Sequence, residues 1–264
     1  MFADVVSKNP NYLKRGKIDK VHIANYLKKE LRNHNYTIIK DPTGTSPFKL
    51  IENFSPRKGD CGTAGHFWRE NKVKIGTGTT DCNSNRLRLE VASSGDIRIG
   101  KKAKEIWVGY YFYVPNTPDN FKDKLLQPYI TQFYGVNRKG GQTVGGYAPQ
   151  FSASIYHGKL SIEGNHVIDE KNLKGKWHKV EFNIRWSKQY DGFIKVYIND
   201  ELKVNRSGFK TASHDYVDIK YGTYSHPEYG GASYPEGYQF PSHTIYFAGF
   251  SMNKDRSKLI ISKK

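Results

Sequence analysis

Between Tyr216 and Tyr224 the chain reads Tyr-Val-Asp-Ile-Lys-Tyr-Gly-Thr-Tyr, and strand alternation sets Lys220 and Tyr224 on one face, a cation beside a phenol. A tyrosine ionises near pH ~10, so one that takes a proton and returns it needs positive charge close by to hold its phenolate. Lys220 is a candidate source. Two further strand faces carry polar groups of complementary type: Arg88 with Glu90 in Arg86-Leu-Arg-Leu-Glu-Val91, and Gln132 with Tyr134 in Tyr129-Ile-Thr-Gln-Phe-Tyr134. Each pair alone also fits the solvated face of a sheet, and Lys220 with Tyr224 also fits an edge strand with a solvated lysine and a packed tyrosine.

The elements that must position these residues are strands. Aromatics make up 14% of the 264 residues, with 19 Tyr and 14 Phe, a bias toward side chains that suit pleated, half-buried surfaces. Helical periodicity is confined to a Lys- and Asn-rich segment of residues 1–35. There Asp19 caps a short helix through Leu31, with Val21, Ala24, Leu27 and Leu31 on one side. From Tyr36 onward short strands alternate with turn signals such as Asp41-Pro-Thr-Gly44, Ser55-Pro-Arg-Lys-Gly59 and Gly76-Thr-Gly78. In 86–91, Leu87, Leu89 and Val91 form a buried face and Arg86, Arg88 and Glu90 a solvent face. In 105–115, Ile106, Val108, Tyr110, Phe112 and Val114 lie opposite Trp107, Tyr111 and Tyr113, so this strand is predicted to be central. Trp177 to Trp186 turns inward at Val180, Phe182, Ile184 and Trp186, and passes through Gln189-Tyr-Asp-Gly192 into Phe193–Asn199 as a hairpin. His178 falls on the inward alternation and reads as structural. The expected fold is all-β, a two-sheet jelly roll of the concanavalin-like sandwich type, over residues 36–264, with residues 1–35 as a short helical lead-in.

Charge narrows the partners. With 42 Lys and Arg against 25 Asp and Glu, the formal charge is +17, which favours an acidic partner: nucleic acid, anionic membrane or acidic polysaccharide. Dispersed lysine without a nucleic-acid motif argues against nucleic acid, and the lack of an apolar run long enough to span a bilayer argues against membrane insertion. Cys61 and Cys82, each preceded by Asp, carry no His or Cys spacing of a zinc site. A disulfide closing the Gly-rich loop between them is expected, with two free thiols as the alternative. No secretory signal opens the sequence given, so an extracellular location would imply a removed signal or unconventional export.

The order Arg-x-Glu, then Gln-x-aromatic, then Tyr-x-x-x-Lys-x-Gly-x-Tyr resembles the jelly-roll polysaccharide lyases, the group that holds heparin lyase I, glucuronan lyase and many alginate lyases. The hairpin from Gly175-Lys-Trp177 to Ile198-Asn199 is similar to the same group's Gly-x-Trp strand and its partner, and heparin lyase I-like sequences are the nearest resemblance. It spans roughly residues 36–252. What the resemblance implies is β-elimination on a uronic acid polymer: Arg88 and Gln132 neutralise the carboxylate, Tyr224 donates a proton to the leaving oxygen and serves as a base, and Lys220 lowers its pKa. Arg86, Glu90, Tyr111, Tyr113, His157, His226 and Tyr229 are the expected substrate contacts, with the Tyr- and Gly-rich segment 221–238 as lid or plain crossover loop. Where the group usually has His two residues after the Gln, this chain has Tyr134, which leaves Tyr134, His66, His157 and His226 as candidate replacement bases.

The chemistry requires no redox cofactor. Calcium is compatible as a structural or bridging ion, though no dense carboxylate run is present. A monomer acting on an acidic polysaccharide is expected. The alternative is a non-catalytic, lectin-like module for such polymers, since the same sandwich serves both purposes.

Overall fold

The computed structural model describes residues 36–58, 87–92, 97–99, 103–123, 125–139, 142–226, 238 and 240–263, apart from the side chains of 88, 92, 138, 139, 142–149 and 263. The expected N-terminal helix, both cysteines, Arg86, His66 and Tyr229 lie outside these residues.

Fourteen antiparallel strands run in chain order among the described residues: β1 (Tyr36–Lys40), β2 (Leu50–Phe54), β3 (Leu87–Ala92), β4 (Ile97–Arg98), β5 (Lys104–Tyr113), β6 (Tyr129–Lys139), β7 (Gln142–Tyr156), β8 (Lys159–Ile162), β9 (Asn165–Ile168), β10 (Trp177–Trp186), β11 (Gly192–Ile198), β12 (Glu201–Phe209), β13 (Tyr216–Ser225) and β14 (Ile245–Asn253). They form two sheets. The first has the order β1-β2-β14-β5-β10-β11-β12, and the second β3-β13-β6-β7-β8-β9 with β4 also paired to β13. Tight turns hold the hairpins. His157-Gly158, Glu163-Gly164 and Asn199-Asp200 each have two consecutive residues at positive φ, the turn whose twist matches the flanking strands.

Period-2 patterning sets the core between the sheets. On β5, Val108, Tyr110 and Phe112 are buried, with β14 on one side and β10 on the other, so the strand is central as its two apolar faces require. Aromatic contacts cross the gap: Phe133 packs on Phe182 with ring centroids 5.0 Å apart, and Trp186 packs on Phe133 and Phe151 at 5.7 and 5.4 Å. His178 is buried against Phe112, its Nε2 3.1 Å from the Leu173 carbonyl, in the structural role its position suggests.

Two polar ties also cross the core. Tyr110 and Thr131 share a 2.6 Å hydrogen bond between hydroxyls. The buried carboxylate of Glu52, on the first sheet, accepts from Tyr36 at 2.7 Å and from Tyr221 of β13 at 3.0 Å. Burial and that neighbouring carboxylate push both phenols well above the usual tyrosine range, so each stays a donor. A buried carboxylate is tolerable only with such donors, and here it fixes β13 against the opposite sheet.

The outer face of the first sheet is closed at one end by the C-terminus. Leu259 and Ile261, in the turns that follow β14, pack with Phe48, Ile51 and Ala248, and the bare Gly109 lets the Ile261 side chain settle on the strand. Arg256 clamps this segment through Nη2 to the buried Glu181 at 2.6 Å and to Asp200 at 3.2 Å.

Candidate active site

Three adjacent strands of the second sheet, β3, β13 and β6, bring the sequence-predicted residues together. Leu87, Leu89 and Val91 are buried in the core, which turns positions 88 and 90 to the outer face. The antiparallel register sets Arg88 opposite Tyr224, Glu90 opposite Gly222, and Lys220 opposite Gln132. Directly opposite residues of a ladder have Cβ atoms only ~5 Å apart, so these are side-by-side neighbours. Val217, Ile219 and Tyr221 point into the core, leaving Lys220 and Tyr224 together on the outer face.

The outer face is packed rather than bare. Glu90 and Gln132 are each 2% exposed and Tyr224 6%. The alternation that predicted a solvent face for Glu90 has the side right and the environment wrong: the residue is buried there. Tyr224 stacks on Tyr129, its ladder partner, with centroids 6.2 Å apart and planes 27° off parallel. The buried His226 meets the Tyr224 ring edge-on at 6.0 Å. Of the four candidate replacement bases, Tyr134 and His226 therefore flank the cluster, while His157 is exposed at the β7–β8 turn.

Lys220 departs from the expected pairing. Four residues along a strand separate it from Tyr224 by about 13 Å at the Cα atoms. Its ammonium sits 4.5 Å from the centre of the Tyr134 ring, a cation–π contact. The residue that faces Tyr224 in the ladder is Arg88. Tyr134 thus stands where the lysine charge is held, and Tyr224 where the arginine strand passes.

Behind the face, Thr223 Oγ1 lies 2.6 Å from His243 Nε2, and His243 Nδ1 lies 3.0 Å from the Pro241 carbonyl. A carbonyl only accepts, so Nδ1 carries the proton and the Thr223 hydroxyl donates to Nε2. Burial pushes His243 down to about 4 and keeps it neutral.

Tyr111 and Tyr113 do not join this cluster. They lie on the outer face of β5 in the other sheet, Tyr111 6.1 Å from Phe48 and Tyr113 between Trp177 and Tyr246 at 5.4 and 5.9 Å. Conversely, Tyr129 is a member that alternation misses. Counting by twos from the core residues Thr131 and Phe133 puts it inside, but a bulge between Tyr129 and Thr131 turns it out. No local sequence signal announces that bulge. Among the described residues no group of three or more His, Cys, Asp or Glu side chains is placed to hold a metal ion.

An outer sheet face with arginine, amide, lysine and phenol groups in adjoining registers can neutralise a carboxylate and shuttle a proton. Among solved structures, the chain is similar to an endo-β-1,4-glucuronan lyase from the fungus Trichoderma reesei, at 14% identity and a TM-score of 0.57 over 88% of this chain and 91% of that one. It is also similar to an alginate lyase from a Chlorella virus, at 12% identity and a TM-score of 0.47 over 84% and 90%. The first likeness establishes a shared sandwich fold. No curated protein matches the sequence. A family model described as polysaccharide lyase matches residues 13–251, a span that includes β3, β13 and β6 with all their outward polar groups. The chain therefore belongs to the polysaccharide lyase family.

Proposed function

We propose that this lyase cleaves a uronic-acid polymer by β-elimination on the outer face of β3, β13 and β6. The observation that carries the reading is the register: Arg88 opposite Tyr224 and Gln132 opposite Lys220, on three neighbouring strands. Arg88 and Gln132 bind the uronate carboxylate, which makes the proton on C5 acidic. Tyr224 takes that proton as a phenolate. The C5–H electron pair becomes the C4–C5 double bond, the C4–O bond breaks, and the phenol returns its proton to the departing oxygen. Lys220 and Tyr134 form the charged neighbour of the carboxylate-binding amide, so Tyr134 replaces a histidine with a ring that positions the lysine.

This one-tyrosine route fits the absence of His at position 134. The reading calls for no redox cofactor and no obligatory metal, and it goes with an extracellular enzyme in which Cys61 and Cys82 are paired. A heparin lyase I-like preference for sulfated chains is its narrower form. Glucuronan is the first polymer to try, because a glucuronan lyase shares the fold over 88% of this chain.

The test is a panel of glucuronan, alginate, heparin, heparan and chondroitin chains followed by the ultraviolet absorbance of the conjugated uronate, at several pH values. A rise with one polymer supports elimination and names the substrate. A flat trace across the panel, with measurable binding to one polymer, would instead assign the chain to the glycan-binding module that the change at position 134 allows.

A further inference from the structure

The row that holds Arg88, Tyr224 and Tyr129 continues across the sheet. Tyr129 stands opposite Ser154 on β7, Ser154 opposite Ser161 on β8, and Ser161 opposite His166 on β9. Four strand-to-strand steps of ~4.8 Å carry it about 19 Å from Tyr224 to the far edge. Between Tyr129 and His166 the row is floored by two small hydroxyl side chains, so a chain laid along it meets no tall residue of the row.

At the far end the outward side chains gather. Ile155, Leu160 and Ile162 are buried, which turns Tyr156, Lys159 and Ser161 to the same face as Tyr224. Lys159 is directly opposite Tyr156. The Tyr156 ring meets His157 edge-on at 4.3 Å and lies within 15° of parallel to His166 at 6.5 Å. Ser161 Oγ and His166 Nδ1 are hydrogen-bonded at 2.7 Å. The tight His157-Gly158 turn, at φ 48° and 76°, ties these groups to paired strands. An aromatic face beside an ammonium, a hydroxyl and an imidazole suits an acidic sugar: the ring takes its C–H face, the ammonium its carboxylate, and the hydroxyl and imidazole its hydroxyls.

We propose that Tyr156, Lys159, Ser161 and His166 form a distal subsite that holds a uronate ring of the bound polymer several sugars away from the bond being broken. The proposal rests on the lyase reading above and adds where the chain runs: across the strands, from β3 toward β9. It makes turnover depend on chain length, because a short oligomer at Tyr224 does not reach β9.

The experiment compares wild type with Lys159→Gln and, separately, His166→Ala, the two members farthest from Tyr224, on long chains and on trisaccharides of the polymer that the wild type cleaves. On long chains each variant should raise KM roughly tenfold, the scale of one lost ring or charge contact, with kcat within about twofold. On trisaccharides the variants should match wild type. An unchanged KM on long chains, or an equal loss on both lengths, overturns the subsite while leaving the lyase reading intact. If the wild type forms no double bond in any polymer, the lyase reading fails by itself. The cluster is then judged by affinity electrophoresis in gels that contain those polymers. Loss of retardation in both variants supports a polymer-holding edge, and wild-type retardation, or none in any form, overturns it.

Discussion

In the proposed mechanism Tyr224 depends on the groups packed behind it, and His243 is the clearest case. Its Nε2 accepts from Thr223, the residue before Tyr224, and burial pushes its pKa from 6.5 down to about 4. The unfolded chain takes up a proton as pH falls through 6.5, whereas the folded protein resists until about 4. Stability from this group is therefore fully present above pH 6.5 and is lost progressively on acidification toward 4, by about 3 kcal/mol in all. Urea midpoints measured from pH 7 to 4 should fall more steeply for wild type than for His243→Gln, which keeps polar atoms but cannot titrate. Parallel curves would remove His243 as the source of acid lability. When the ring charges, the Thr223 hydroxyl loses its acceptor.

At the scale of elements, the site depends on β13 lying close to β3 while it is tied through Tyr221 to Glu52 behind. Gly222 permits that approach. It has φ +136°, and a Cβ there would stand 2.3 Å from the Leu89 carbonyl oxygen and 2.8 Å from Phe54 Cε1. Gly222→Ala should destabilise the fold by about 2–4 kcal/mol and cut turnover more than stability accounts for, because Arg88 and Tyr224 lose register. Thermal midpoints alongside steady-state rates on folded protein check this, and a variant with normal rate would contradict it. Much of this arrangement was legible in the sequence. Alternation placed Leu87, Leu89 and Val91 in the core and Lys220 and Tyr224 on one face. It could not say which sheet a strand joins, so Tyr111 and Tyr113 were grouped with residues that lie on the opposite side of the molecule. Nor could it register the bulge that turns Tyr129 outward, or the packing that buries Glu90 and draws the Lys220 ammonium to Tyr134. Period 2 fixes a side chain's face only while the ladder is regular, and it carries no information about the neighbouring strand.

Across the whole molecule, charge and topology both suit the proposed polyanionic substrate. A formal charge of +17 attracts a polyanion over distances set by the Debye length. For a uronate polymer, kcat/KM should fall by roughly tenfold between ~0.01 M and ~0.15 M ionic strength, as that length shrinks from ~30 Å to ~8 Å, with kcat little changed. Salt-independent kcat/KM in a rate series with added sodium chloride would show that the surface charge has no part in capture. The first sheet carries the C-terminal clamp on its outer face, and the second leaves a six-strand row with Tyr224 near one end and His166 at the other. Elimination by Tyr224 is tested most directly by proton NMR of the cleaved polymer incubated with wild type and with Tyr224→Phe, following the new vinyl proton at C4, beside a binding isotherm for each. Wild type should form the vinyl product. The phenylalanine variant should be slower by about 10²–10⁴-fold while its affinity stays within a few fold, since only the proton-carrying oxygen is gone. A phenylalanine variant that makes the vinyl product at the wild-type rate would contradict the assignment of proton transfer to Tyr224.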